Sequence, residues 1–227
     1  VSICSTKINL FKKKEKSIIN DSLVRFWESL EYSIDGGNRL RGLLVIATAL
    51  TVSGAKRIDL LSKPLKSLIL DAACAIECVH AFSLAHDDMP CMDNDKLRRG
   101  KNTLHVEFDE GMALLAGDAL QTLGTEILCS SENNLRKRFL LIKELSKATG
   151  AMGMAGGQAI DIQAIRLKLK ENEVLMMHKL KTGALLEAAG NMGFLGVSLK
   201  KDFDKIVNFK KFASFLGIAF QVVDDIL

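Results

Sequence analysis

The segment from Leu65 to Lys101 restricts this chain more than any other. Leu65, Leu68, Ile69, Ala72, Ile76, His80, Ser83 and Asp87 follow three- and four-residue steps, so an uninterrupted helix carries them on one stripe. The stripe begins apolar and ends polar, whereas a helix that only fills a core keeps its stripe apolar to the end. Four carboxylates (Asp87, Asp88, Asp93, Asp95) then precede four cations (Lys96, Arg98, Arg99, Lys101). Asp87 and Asp88 fall at the C-terminal end of the helix. The macrodipole there disfavours each acid by roughly 0.3–1 kcal/mol, so something cationic has to compensate.

Hard oxygen donors in such a cluster suit Mg2+, which takes one or two carboxylates and completes its shell with water and phosphate oxygens. The forks of Arg98 and Arg99 and the point charge of Lys101 suit the phosphate. The pattern points to a metal-bound diphosphate, with a solvated acidic turn beside a basic one as the structural alternative. Pro90 cannot continue a regular helix, so Met89 to Met92 loop outward and Asp93 returns to join Asp87 on a metal. A second acidic pair, Asp224 and Asp225, closes the apolar segment Phe212 to Val223 in the same manner. Two apolar helices that each end in paired acids place carboxylates opposite one another across a bundle cavity.

Helical patterns also cover roughly 17–33, 42–53, 108–129, 135–153, 171–194 and 203–227, and only two prolines, Pro64 and Pro90, interrupt them. With 48% hydrophobic residues and no linker-like stretch in 227 residues, the expectation is one all-α domain, 1–227. A formal charge of +4 without single-sign runs or interleaved aromatics argues against nucleic acid as a partner. No run is read as reaching the ~18 apolar residues of a membrane span, and the lysine-rich start lacks a signal-peptide core. Cys4, Cys74, Cys78, Cys91 and Cys129 lack paired spacing and read as buried reduced thiols of a cytoplasmic protein, in preference to a zinc site on Cys74, Cys78 and His80.

From about Tyr32 to Leu227 the chain resembles the trans-isoprenyl diphosphate synthase family, the bacterial farnesyl type most closely. The resemblance is carried jointly by Gly36-Gly37-Asn38-Arg39-Leu40-Arg41, Glu77 to Asp95, Arg98-Arg99-Gly100-Lys101, Gly117-Asp118, Gly156-Gly157-Gln158 with Asp161, Lys181-Thr182-Gly183 and Phe220-Gln221-Val222-Val223-Asp224-Asp225. It implies a single-domain helical bundle around a central cavity, Mg2+ as cofactor (three ions with diphosphate bound) and a homodimer. By the same resemblance Asp87, Asp88, Asp93, Asp224 and Asp225 hold the metals. Arg98, Lys181, Thr182 and Gln221 contact the allylic diphosphate or its cation, and Arg41, His80 and Arg99 bind isopentenyl diphosphate. Asp118, Gln158 and Asp161 line the site or bond its ligands, with buried helix-to-helix hydrogen bonding as the competing role.

The activity so implied joins isopentenyl diphosphate to dimethylallyl or geranyl diphosphate, giving farnesyl diphosphate. Phe82, five residues before Asp87, lies about 7–8 Å down the helix axis and would meet a growing tail, which favours a fifteen-carbon product. Geranyl and geranylgeranyl products stay open, and packing alone is a sufficient role for an aromatic there. Asn38 stands where the family has lysine and Gly42 where it has proline. The sequence also ends before the last aspartate of the second acidic motif and the helices that follow it, which reads first as omission of C-terminal helices. Both departures support a catalytically weak homologue or subunit as the alternative. Terpene cyclisation is disfavoured, because it has no use for a second diphosphate site at Arg41 and Arg99.

Overall fold

The computed structural model describes residues 4–6, 21–164 and 169–198. In order these form α1 (Asp21–Ile34), α2 (Leu40–Ser53), a 3-10 turn (Ile58–Leu60), α3 (Lys63–Asp87), a hairpin of β1 (Leu97–Arg98) and β2 (Lys101–Asn102), α4 (Leu104–Glu107), α5 (Glu110–Cys129), α6 (Leu135–Thr149), α7 (Met154–Ala164), α8 (Glu171–His178), a π-turn (Lys179–Gly183) and α9 (Ala184–Val197). The fold is all-α, with the hairpin as its only sheet among the described residues. Gln221, Asp224, Asp225 and the helix expected over 203–227 lie outside the described residues.

Contacts group the chain into two compact units, one of residues 1–39 and 74–130, the other of 40–73 and 131–227. In the first, α5 opens on an Asp109 cap whose Oδ1 accepts from the Met112 N–H at 2.7 Å. Its buried positions Ala113, Ala116, Leu120, Leu123 and Ile127 repeat at helical spacing and meet Cys74, Cys78, Ala81 and Ala85 from the second half of α3, with Leu30 and Ile34 of α1.

In the second unit, α9 packs on α2 and α6. Gly193 is the point of closest approach, since a side-chain carbon there would lie 2.3 Å from the Val45 carbonyl oxygen. Polar pairs fix the register of α6. Arg138 donates to Asp71 at 2.8 Å with both side chains almost fully buried, and Asn191 donates to Glu144 at 2.5 Å. Lys137 donates to the carbonyls of Gly196 and Val197, closing the C-terminal end of α9 where orphan carbonyls favour a cation.

Four sequence expectations need correction. By length and hydropathy α3 does qualify as a membrane span, because its lone acids are diluted by apolar neighbours. Yet 72% of that window is buried within the protein, so its apolar surface is already in use. Cys91 and Cys129 are exposed rather than buried, since each falls at a helix end or in a loop. The helix expected over 171–194 is broken by the π-turn. The helix expected over 135–153 stops at Thr149, where Gly150 begins a turn leading into α7.

Candidate active site

The site is best built from the end of α3. Its last helical residue is Asp87, and Pro90 turns the chain outward as the sequence suggested. The Met92 and Asn94 amides donate back to the Met89 carbonyl at 2.8 and 3.0 Å, and the Asp93 amide donates to the Asp87 carbonyl at 3.0 Å. The loop thus returns Asp93 to Asp87 through a backbone bond.

Asp88 is different. It is buried, and Arg98 grips it: Nε donates to Oδ1 at 2.7 Å and Oδ2 at 2.9 Å, with Nη2 on Oδ1 at 2.5 Å. Burial pushes the Asp88 carboxyl above its usual range, and Arg98 opposes that push. Burial also works against the Arg98 charge, but its bond to Asp88 and the nearby Asp87 and Asp95 outweigh it and hold the guanidinium above its ordinary value. Asp88, expected as a metal donor, meets a guanidinium in this structure. Among the described residues no three Asp, Glu, His or Cys side chains converge as a ready metal cage. Asp87 and Asp93 still fit Mg2+, which needs only one or two carboxylates and draws its other oxygens from water and phosphate.

The hairpin that delivers Arg98 turns through Arg99 and Gly100 at φ +54° and +75°. Both are left-handed, the pattern of a type I′ turn, which favours Asn-Gly. Arginine at the first position costs about 1 kcal/mol. Its guanidinium lies on Gly37, where an added side-chain carbon would stand 2.1 Å from Nη1. Arg39, also left-handed at φ +53°, sits near it and pairs with buried Glu77 only at 3.7 Å, while its Nε and Nη2 are buried without a hydrogen-bond partner. Burial and the fields of Arg39 and Arg98 lower the Arg99 pKa. Two guanidiniums held close against their repulsion form an anion-attracting region. Arg39 was missed from sequence because a left-handed arginine after two glycines leaves no periodic signal.

His80 and Phe82 lie half-buried on α3, with the Phe82 ring edge-on to His86 at 5.0 Å between centroids. Asp118 faces His86 on the outside of α5, at 3.8 Å, with its side chain 63% exposed. In the second unit, Lys181 and Thr182 occupy the π-turn, an insertion often found at functional positions. Lys181 Nζ donates to Asp161 of α7 at 2.5 Å. Gly157 lets the α7 backbone lie against Lys181, because a side-chain carbon there would meet the Lys181 nitrogen at 2.2 Å. Gln158 is half-buried one position further on, and Arg41 is half-buried on α2.

An all-α fold carries an acid pair, a bidentate arginine and a strained arginine hairpin at the end of one apolar helix. The polyprenyl synthetase family model matches residues 25–227, and the chain belongs to that family. It is 39% identical over 225 residues to the farnesyl diphosphate synthase of Haemophilus influenzae, covering 98% of this chain and 72% of that protein. It is 43% identical over 205 residues to the farnesyl diphosphate synthase of Escherichia coli, covering 88% of this chain and 64% of that one. Geranylgeranyl pyrophosphate synthase 4 of Arabidopsis thaliana is 40% identical over 207 residues, and the chain spans 52% of its length. Among solved structures, the Zymomonas mobilis FPP/GFPP synthase superposes with a TM-score of 0.84 at 38% identity, covering 99% of this chain and 78% of that one. The Helicobacter pylori geranyltransferase gives a TM-score of 0.81 at 30% identity, with coverages of 99% and 78%.

Proposed function

We propose that the protein is a Mg2+-dependent prenyltransferase that joins isopentenyl diphosphate to dimethylallyl or geranyl diphosphate and releases farnesyl diphosphate. The observation that carries this reading is the return of Asp93 to Asp87 beside the Asp88–Arg98 pair, in a family whose matching relatives include farnesyl diphosphate synthases. Because the chain spans only part of those relatives, the activity is assigned from this site together with the family. The family match runs through both compact units, which supports one synthase domain.

In this mechanism Asp87 and Asp93, with Asp224 and Asp225, would hold Mg2+, which when bound would supply charge neutralisation to the departing diphosphate. The side chains of this chain do the rest by positioning. Lys181, Thr182 and Gln221 hold the allylic diphosphate, and Asp161 aims Lys181. Arg98 fixes Asp88, which keeps the end of α3 and the hairpin in register. Arg41, His80 and Arg99 hold the isopentenyl diphosphate. The allylic carbon–oxygen bond breaks, diphosphate leaves with the electron pair, and the isopentenyl double bond attacks the allylic carbon. A proton is then lost to the released diphosphate, so no protein nucleophile is required.

Exposed Leu114 and Leu115 on α5 support a homodimer built on that helix. Full-length protein incubated with Mg2+, labelled isopentenyl diphosphate and either allylic diphosphate should yield a fifteen-carbon product. No product from either allylic substrate would reject the reading. The retained acids and cations outweigh Asn38, so activity is expected despite that substitution.

A further inference from the structure

We propose that Cys4 and Cys74 are a modification site, joined by a peroxide in a reversible disulfide that locks the segment around Cys4 onto α3. Residues 4–6 are helical, and Cys4 enters the same buried cluster as Leu30 and Ile34 of α1 and Cys74, Cys78 and Ala81 of α3. All of these belong to the first compact unit. Three thiols thus meet in one apolar surrounding. They do not make a zinc site, because among the described residues no three His, Cys, Asp or Glu side chains converge on a metal position. The cluster holds a sulfur pair instead, since Cys4 and Cys74 share a hydrogen bond across most of the length of α1, α2 and the first half of α3. Sulfurs already in that contact need only a short approach to reach bonding distance.

Exposure and electrostatics decide which thiol reacts first. Cys4 is 8% exposed, Cys74 1% and Cys78 0%, so a small oxidant meets Cys4 before the others. The hydrogen bond from Cys74 holds the Cys4 thiol below its ordinary value against burial and the Glu77 charge, and Arg39 adds to the lowering. Burial pushes the Cys78 thiol the other way, which leaves it protonated and inert. The Cys4 thiolate attacks one oxygen of hydrogen peroxide, the O–O bond breaks, and the departing hydroxide takes up the Cys4 proton as water. Cys74 sulfur then attacks the sulfenic acid sulfur of Cys4, the S–O bond breaks, and hydroxide leaves with the Cys74 proton as a second water. Each thiol gives up one electron, and the peroxide is reduced to two waters. Further oxidation of Cys4 to a sulfinate would place a charge among Leu30, Ile34 and Ala81, whereas the disulfide carries none.

The test uses full-length protein carrying Cys91→Ser and Cys129→Ser, which removes the two exposed thiols. It is treated with hydrogen peroxide, alkylated after denaturation and mapped by mass spectrometry without reduction. A peptide linked through Cys4 and Cys74 is expected, with Cys78 alkylated. Closing so long a loop should raise the melting temperature by roughly 5–10 °C, and dithiothreitol should reverse both the link and the rise. Cys4→Ala should abolish both, and Cys78→Ala should keep both. A link from Cys4 to Cys78, a link between two chains, sulfinic acid at Cys4 in place of a link, three free thiols after treatment, or a linked protein that melts no higher would overturn the proposal. The map of the parent protein decides the site even where Cys4→Ala fails to fold.

Discussion

Arg98 donates to both carboxylate oxygens of Asp88 from ten positions further along the chain, and that grip divides two adjacent aspartates into different roles. Asp88 faces a guanidinium, and the proposed function assigns Asp87 to the metal. Asp87→Asn should therefore cut product formation by at least about 100-fold with the melting temperature nearly unchanged. Asp88→Asn leaves Arg98 without its buried partner and should lower stability by about 1.5–3 kcal/mol as well as activity. Thermal denaturation run beside the product assay separates the two. Equal loss of stability in both variants would contradict the division.

Gly37 carries the next prediction. Gly37→Ala places a carbon where the Arg99 guanidinium lies and imposes a side chain on a backbone at φ +75°. The conformational part alone costs about 1 kcal/mol, and the clash displaces Arg99. KM for isopentenyl diphosphate should rise by roughly 10-fold, with the allylic KM little altered, as initial-rate measurements with each substrate varied in turn will show.

Much of this was legible in advance, and the parts that were not share a cause. The α3 stripe is a matter of period, so Leu68, Ile69, Ala72 and Ile76 are fully buried where spacing put them. Pro90 forces an outward loop by chain stereochemistry, and Asp93 comes back to Asp87. Partner choice is not periodic. Nothing in Asp87-Asp88 tells which carboxylate meets Arg98, because that depends on the two-residue hairpin through Arg99 and Gly100, whose left-handed arginine contradicts local preference. The partner of Asp118 was hidden for a similar reason. Asp118 shares a motif with Gly117, but the helix turns it toward His86. The π-turn at Lys181 was hidden too, since one extra residue in a helical turn leaves composition unchanged.

Cys78 gives a pH dependence. Burial pushes its thiol well above the ordinary value, and Cys4 and Glu77 add to the shift. A thiol whose folded pKa is raised contributes stability fully below the unfolded pKa, about 8.5, and that contribution is lost as pH climbs toward the folded value. Unfolding free energies from denaturant titration should fall above about pH 8.5, by up to about 1.4 kcal/mol per pH unit from this group. Cys78→Ala should flatten that alkaline slope, and an unchanged slope would show that other groups set it. Exposed Cys91 and Cys129 should alkylate in the native protein before Cys78 does.

Asp161 holds Lys181 across two elements, α7 and the π-turn, and is expected to act through that lysine. Asp161→Asn keeps the shape and a hydrogen-bond acceptor but removes the charge, so Lys181 is aimed less firmly at the allylic diphosphate. Asp161→Ala removes the contact altogether. The allylic kcat/KM should fall by roughly 10-fold in the first and 100-fold in the second, with Asp161→Glu recovering most of the loss. Lys181→Ala should lose as much as Asp161→Ala, and the double variant little more, because two residues acting as one unit are not additive. Additive losses in the double variant would mean that Asp161 contacts the substrate, or its metal, in its own right.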